Sequence, residues 1–286
     1  MTSAATAALR ALRDRFRIAA NANADLDARL LLEHVSGLTA LDLIREPNRP
    51  LSDDQLAALQ AVGDRRLAGE PVHRILGLRD FHGLRFALSP DTLEPRPDTE
   101  ILVDATAPLL RARMAQQGHC RLLDLGTGSG AIAVSLLHEV AGVTAVATDI
   151  SPGALAAAQR NAAINGVADR FQALQSDWFA DVSGTFDAIL SNPPYIESLE
   201  MGRLAPEVAG HDPLRALDGG PDGLAAYRAI AKGAARHLKS GGFVGVEIGW
   251  NQTETVTALF EAAGYHLMDA RRDLGGNPRV LVFARG

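Results

Sequence analysis

Apolar residues recur at helical spacing from Ala4 to Leu67, interrupted at Gly37 and across the Pro47 to Pro50 segment, and this predicts a small all-helical unit. Its last helix has a marked start. Ser52 and Gln55 stand at i and i+3, where each side chain can satisfy a backbone N–H that the first turn leaves unpaired. Gly69 and Pro71 end that helix. Between residues 75 and 88 the pattern shortens to two apolar runs around His82-Gly83, which predicts a β-hairpin linker. Pro95 and Pro97 stiffen a polar turn before Asp98-Thr99-Glu100 opens another helix.

After His119 short apolar runs alternate with helical stretches. The runs are RLLDL, VTAVATDI, FQALQ, FDAILS and FVGVEIG, an alternation that predicts an α/β fold with a parallel sheet covered on both faces. Ser151, Pro152 and Gly166 mark the cap, first turn and end of one intervening helix. The last two runs, YHLMDA and RVLVFA, are too close for a parallel crossover and should pair antiparallel. The expectation is seven strands, mostly parallel with one reversed. The domain expectation is a helical domain over residues 1–72, a hairpin linker over 73–95 and an α/β domain over 96–286.

The chain has 286 residues, 47% hydrophobic and 22% charged, an ordinary globular mix. A single cysteine, Cys120, cannot form an internal disulfide, which suits a cytoplasmic setting. No stretch approaches the roughly 18 apolar residues that span a bilayer, and the first residues lack the apolar core of a secretory signal, so neither a membrane partner nor targeting is expected. The net charge of −6 argues against a stable complex with nucleic acid along one broad face. The first 80 residues balance eleven arginines against eleven acidic residues, so the remainder carries the whole excess.

Candidate chemistry gathers at three successive strand ends. Asp124-Leu125-Gly126-Thr127-Gly128-Ser129-Gly130 follows a predicted strand and opens a helix, so its glycines let a ligand approach backbone N–H groups. Asp149 ends the next strand, where a carboxylate can accept hydrogen bonds from a ribose. Together they point to a nucleoside-type cofactor. The relaxed dinucleotide spacing is also met, but a carboxylate at Asp124 can receive a cofactor amino group, which favours S-adenosylmethionine over NAD. Asp177 and Trp178, just past the strand FQALQ, could accept from the adenine amine and lie against its ring; core packing is the other reading of Trp178.

Asn192-Pro193-Pro194-Tyr195 follows the strand FDAILS, hence the carboxyl edge of the sheet. Two prolines lock φ and remove their own N–H donors, leaving carbonyl acceptors and the Asn192 amide beside an aromatic ring. That set suits a planar NH₂ group. An amide or exocyclic amine is a poor nucleophile, and two acceptors on its N–H bonds can orient the nitrogen toward an electrophilic methyl. The eight histidines show no metal-ligand spacing, and no Ser-His-Asp or Cys-His set stands out, so no metal and no covalent intermediate are expected.

These residues resemble the peptide-chain release factor glutamine methyltransferases, the HemK or PrmC family, nearly end to end. The resemblance rests on Gly69-Glu70-Pro71, Pro95-Arg96-Pro97-Asp98-Thr99-Glu100, Asn192-Pro193-Pro194-Tyr195-Ile196, Asp222-Gly223-Leu224 with Tyr227-Arg228, and Asp273-Leu274-Gly275-Gly276 with Arg279-Val280. It implies a Rossmann-like methyltransferase fold and methylation of the glutamine side-chain nitrogen (N5) in the Gly-Gly-Gln loop of class-1 release factors. It further implies that Gly126 through Gly130, Asp149 and Trp178 hold S-adenosylmethionine, that Asn192 through Tyr195 hold the glutamine with Asn192 touching both cofactor and substrate, and that the front domain helps dock the release factor. His82 stands where relatives often carry a second aromatic residue, and a changed minor contact near the pocket is expected there. Asn-Pro-Pro-Tyr also resembles nucleic-acid amino methyltransferases acting on adenine N6 or guanine N2, the alternative reading; a third is a binding module without turnover.

Overall fold

The computed structural model describes residues 4–285; residues 1–3 and 286, at the outer ends of the expected first and last domains, lie outside the described residues. The chain divides into two compact units, one reaching Gly77 and including Pro206–His211, the other formed by Leu78–Ala205 and the residues from Asp212 onward.

The first unit holds α1 (Ala5–Ile18), α2 (Ala24–Ser36), α3 (Ala40–Arg45), α4 (Asp53–Leu67) and α5 (Val72–Leu76). Their apolar faces meet in one core that includes Leu12, Phe16, Leu31, Leu32, Leu59 and Ile75. The capping box stands as expected: the Gln55 amide donates to Ser52 Oγ at 3.1 Å and the Ser52 amide donates to Gln55 Oε1 at 3.0 Å. Thr39 and Asp42 start α3 in the same way. The hairpin is shorter than expected, because residues 75 and 76 complete α5, which Gly77 ends with φ of 70°. The strands are β1 (Leu78–Phe81) and β2 (Leu84–Ala87), with His82 and Gly83 both at positive φ, as a type I′ turn demands. The division between the units thus falls after Gly77 rather than at residue 72.

The second unit continues through α6 (Glu100–Gln117), β3 (Cys120–Leu125), α7 (Ala131–Glu139), β4 (Val143–Asp149), α8 (Pro152–Ile164), β5 (Phe171–Gln175) and β6 (Phe186–Ser191). A short helix, α9 (Pro206–His211), belongs to the first unit, where Glu207 pairs with Arg66 at 2.8 Å, the same guanidinium that holds Asp27 at 2.6 Å. The second unit resumes with α10 (Ala225–His237), β7 (Leu238–Glu247), α11 (Thr253–Ala262), β8 (Tyr265–Arg272) and β9 (Pro278–Arg285).

Seven strands form one Rossmann-like sheet in the order β5-β4-β3-β6-β7-β9-β8, with only β9 reversed. Alternate residues of each strand serve opposite faces. Leu122, Leu190, Val280 and Val282 pack in one core with Leu102 of α6 and Leu136 of α7, while Leu123, Ile189, Leu281 and Phe283 pack in another with Ile230 of α10 and Phe260 of α11. The parallel order places the carboxyl ends of β3, β4 and β6 side by side, where an open α/β sheet binds its ligands. Among the described residues no helix is long and apolar enough to cross a membrane.

Candidate active site

A cavity of about 420 Å³ opens at those strand ends. Gly126, Thr127, Gly128 and Ser129 line it, as do Asp149, Asp177, Trp178, Asn192 and Pro194. Residues Asp91 to Arg96, Thr99, Arg215 and Asp218 also contribute to the wall. The three strand-end motifs therefore share one cavity.

The glycine turn is shaped by its neighbours. Gly126, Gly128 and Gly130 all have positive φ. The Gly128 amide donates to Asp149 Oδ2 at 3.0 Å and the Ser151 amide to Asp149 Oδ1 at 2.9 Å, so the carboxylate is fixed while each oxygen keeps a further lone pair. Asn161 on α8 braces the turn from behind, donating to the Ser129 carbonyl at 2.9 Å and exchanging bonds with Ala87 of the hairpin. Trp178 packs against the second core and also lines the cavity, at φ of 50°. Ser176 stabilises that turn by donating to the Trp178 carbonyl at 3.0 Å.

Four expected site residues stand elsewhere. Asp124 does not line the cavity; it is fully buried because the Thr127 hydroxyl, at 2.6 Å, and the Ala133 amide draw its Oδ2 inward. Burial pushes its carboxyl up to about 7, and its Oδ1 has no hydrogen-bond partner among the described residues. Gly130 lies outside the lining because it packs against Ala158, where an added Cβ would come within 3.2 Å of backbone. Pro193 is buried, and the Tyr195 ring packs into the second core, so neither side chain lines the cavity. His82 is also removed from it: its amide donates to Glu100 at 2.7 Å and its ring faces Asp104 at 3.1 Å. The expected change of a pocket contact there is not found.

Asn192 connects to residues to which pattern reading assigned no role. Its Nδ2 donates to Thr99 Oγ1 at 3.0 Å, and the Thr99 hydroxyl donates to Glu247 Oε2 at 2.6 Å. Glu247 ends β7 and is 2% exposed. Burial pushes its carboxyl up to about 7, against the lowering effects of Thr99, Arg279 and Asn192. Gln252 holds the next turn, donating to the Tyr195 carbonyl at 3.1 Å while its Oε1 accepts from the Gly249 amide at 3.0 Å. The segment at 217–220 closes the other side: Ile196 donates to the Leu217 carbonyl and Gly219 donates back to Ile196. A lone carboxylate in the apolar run FVGVEIG was the available sign of Glu247.

The residues fit S-adenosylmethionine: a positive-φ glycine cradle faces a cavity shared with an anchored strand-end carboxylate and a tryptophan ring. Among the described residues no group of three or more His, Cys, Asp or Glu could hold a metal ion.

Comparison with known proteins places the chain in a family. The PrmC N-terminal domain family matches residues 7–77 and the methyltransferase small domain family matches residues 100–208. A release factor glutamine methyltransferase of Agrobacterium fabrum is 50% identical over 280 residues, covering 98% of this chain and 97% of the relative. One from Bradyrhizobium diazoefficiens is 45% identical, covering 96% and 92%. Among solved structures, a methyltransferase from Pyrococcus furiosus superposes with a TM-score of 0.54 at 22% identity, covering 71% of this chain and 90% of that one. The hMettl16 catalytic domain in complex with MAT2A 3'UTR hairpin 6 gives 0.57 at 14% identity, covering 83% and 85%. These two share the fold. On the near full-length identity, the chain belongs to the release factor glutamine methyltransferase family.

Proposed function

We propose that this enzyme methylates the N5 amide nitrogen of the glutamine in the Gly-Gly-Gln loop of class-1 peptide chain release factors, using S-adenosylmethionine. The observation that carries the reading is the convergence of Asn192 with the glycine turn and Asp149 on one cavity, in a chain 50% identical to a release factor glutamine methyltransferase over nearly its whole length. Gly126 to Ser129, Asp149, Asp177 and Trp178 would hold the cofactor. When bound, S-adenosylmethionine supplies a methyl group made electrophilic by its sulfonium. Asn192 Oδ1 and the Pro193 carbonyl accept from the two N–H bonds of the glutamine amide, which fixes its plane and turns the nitrogen lone pair toward the cofactor side. Pro193 and Pro194 keep those acceptors rigid. No general base is needed before transfer, because the amide proton leaves after the nitrogen has gained its methyl. Release factors are the partner in this reading, the cytoplasm is its setting, and the first unit contributes to docking.

The test is mass spectrometry of the Gly-Gly-Gln peptide after incubation of release factor with the enzyme and S-adenosylmethionine. One added methyl on the glutamine is expected, with none on single-stranded oligonucleotides. Asn192→Ala removes an acceptor in a desolvated site at about 1–3 kcal/mol, so transfer slows roughly fivefold to 150-fold. Methylation of adenine or guanine with the glutamine left bare overturns the proposal in favour of a nucleic-acid enzyme, and a normal rate in N192A removes Asn192 from the chemistry.

A further inference from the structure

An asparagine amide has two ends of nearly equal size and opposite chemistry, an acceptor oxygen and a donor NH₂. Rotating it by half a turn would present NH₂ to the NH₂ of an incoming amide, and the contact that orients the reacting nitrogen would be lost while the rest of the substrate stays bound. Something must fix the choice. Asn192 Nδ2 donates to Thr99 Oγ1 at 3.0 Å, and Thr99 donates its single hydroxyl hydrogen to Glu247 Oε2 at 2.6 Å. An ionised carboxylate only accepts, so the hydroxyl must point at Glu247 and offer its lone pairs to Asn192. The Asn192 nitrogen is thereby committed, and Oδ1 remains for a ligand. The direction runs from β7 through the residue before α6 to the end of β6.

We propose that Thr99 and Glu247 are positioning residues that fix the Asn192 amide with its oxygen toward the substrate; this rests on the methyl-transfer reading above. Two further observations support the assignment. Glu247 has no ion-pair partner among the described residues, although it is 2% exposed, so electrostatic pairing does not account for a carboxylate at this place. The charged and titratable groups around it are Asp98, which disfavours its charge, and Arg279, which favours it but is bonded to Asp98 at 3.2 Å and Asp273 at 3.0 Å; the Tyr195 and Tyr227 phenols also face it. With its carboxyl pushed up to about 7, Glu247 gains a proton within the neutral range. Once protonated it can donate to Thr99, the hydroxyl hydrogen is released, and the amide is free to invert.

The test uses the full chain with release factor and S-adenosylmethionine. Thr99→Val lowers kcat tenfold or more with KM for both substrates within about twofold, and Thr99→Ser recovers most of the loss because it restores only the hydroxyl. In the wild type kcat falls as pH drops through about 7, and Glu247→Gln abolishes that acid limb. A second readout needs no substrate: the Asn192 side-chain ¹⁵N–¹H resonances titrate near pH 7 in the wild type and not in E247Q, and the same spectra verify that each variant is folded. Normal kcat in T99V, equal impairment of T99V and T99S, or Asn192 resonances indifferent to Glu247 each overturn the proposal. If no methyl reaches the release factor while the resonances titrate as expected, the relay stands and the substrate reading fails.

Discussion

Replacing Glu247 by glutamine should stabilise the second unit at alkaline pH relative to acid, and the size of that change follows from burial. The carboxyl ordinarily titrates at 4.5 and is pushed up to about 7 in the fold. Between those values the native state holds a proton that the unfolded chain has released, so native stability falls as pH rises, the loss being complete once pH passes about 7. A shift of this size corresponds to about 3 kcal/mol, most of which falls between pH 5 and pH 8. The group is almost wholly buried, so solvent does not dilute the effect. Glutamine does not titrate, and Asp124, also pushed up to about 7, contributes equally to both proteins and cancels. The stability difference between E247Q and wild type should therefore move by about 2–3 kcal/mol in favour of E247Q from pH 5 to pH 8. The assay is urea unfolding followed by tryptophan fluorescence, which reports this unit alone because both tryptophans, Trp178 and Trp250, belong to it. A difference that stays constant with pH would mean that Glu247 does not titrate as a desolvated acid, and the energetic argument would fail.

Two further substitutions probe the supports of the site. Gly223 has φ of 68°, and a Cβ there would lie 2.4 Å from the Tyr195 carbonyl oxygen and 2.8 Å from Gln252 Nε2. Gly223→Ala should cost ~1–2 kcal/mol for the left-handed backbone and about 1 kcal/mol more for the displaced Gln252–Tyr195 bond, read by the same urea titration, together with a fall in kcat. Trp178→Ala removes the ring from the cavity wall; at about 1–3 kcal/mol for stacking on a base, the Kd for S-adenosylmethionine measured calorimetrically should rise roughly fivefold to 150-fold. An unchanged Kd would assign Trp178 to core packing alone.

Much of this was legible along the chain because it is local. The Ser52-Gln55 box, the Ser151 cap and the glycine turn are decided within a few residues, and strand alternation fixes which face of the sheet each side chain serves. Asn192 fell at the carboxyl edge because its strand could be read directly. What escaped depends on contacts between distant residues. Thr99 meets Glu247 across 148 positions, and no periodicity brings them together. Asp124 was expected to face the ligand because it precedes the glycines; its orientation is set instead by Thr127 and by the amide of Ala133 on α7, which a linear motif does not reveal. The Pro206–His211 helix joins the first unit through Glu207 and Arg66, a pairing invisible to a reading of domains as continuous segments.

The buried acids of the sheet separate by which end of it they occupy. Asp187 lies near the start of β6, wholly buried; burial alone would raise its carboxyl, but Lys239 at 2.7 Å, the Arg121 amide at 2.8 Å and Arg113 at 3.0 Å hold it below the ordinary range. That acid ties α6 and β7 to the sheet and remains charged. Asp124 and Glu247, at or near the carboxyl ends of β3 and β7, have no cation paired to them among the described residues, and burial dominates both. A fold selected for stability alone would fill position 247 with an apolar side chain, or with glutamine to satisfy Thr99. Glutamine, however, can turn either end toward a hydroxyl, whereas an ionised carboxylate has one direction only. The unpaired charge costs the native state several kcal/mol above neutral pH and in return removes an ambiguity from Asn192. The pH at which the enzyme works fastest should accordingly be higher than the pH at which it is most stable, and coincidence of the two optima in wild type would contradict the role given to Glu247.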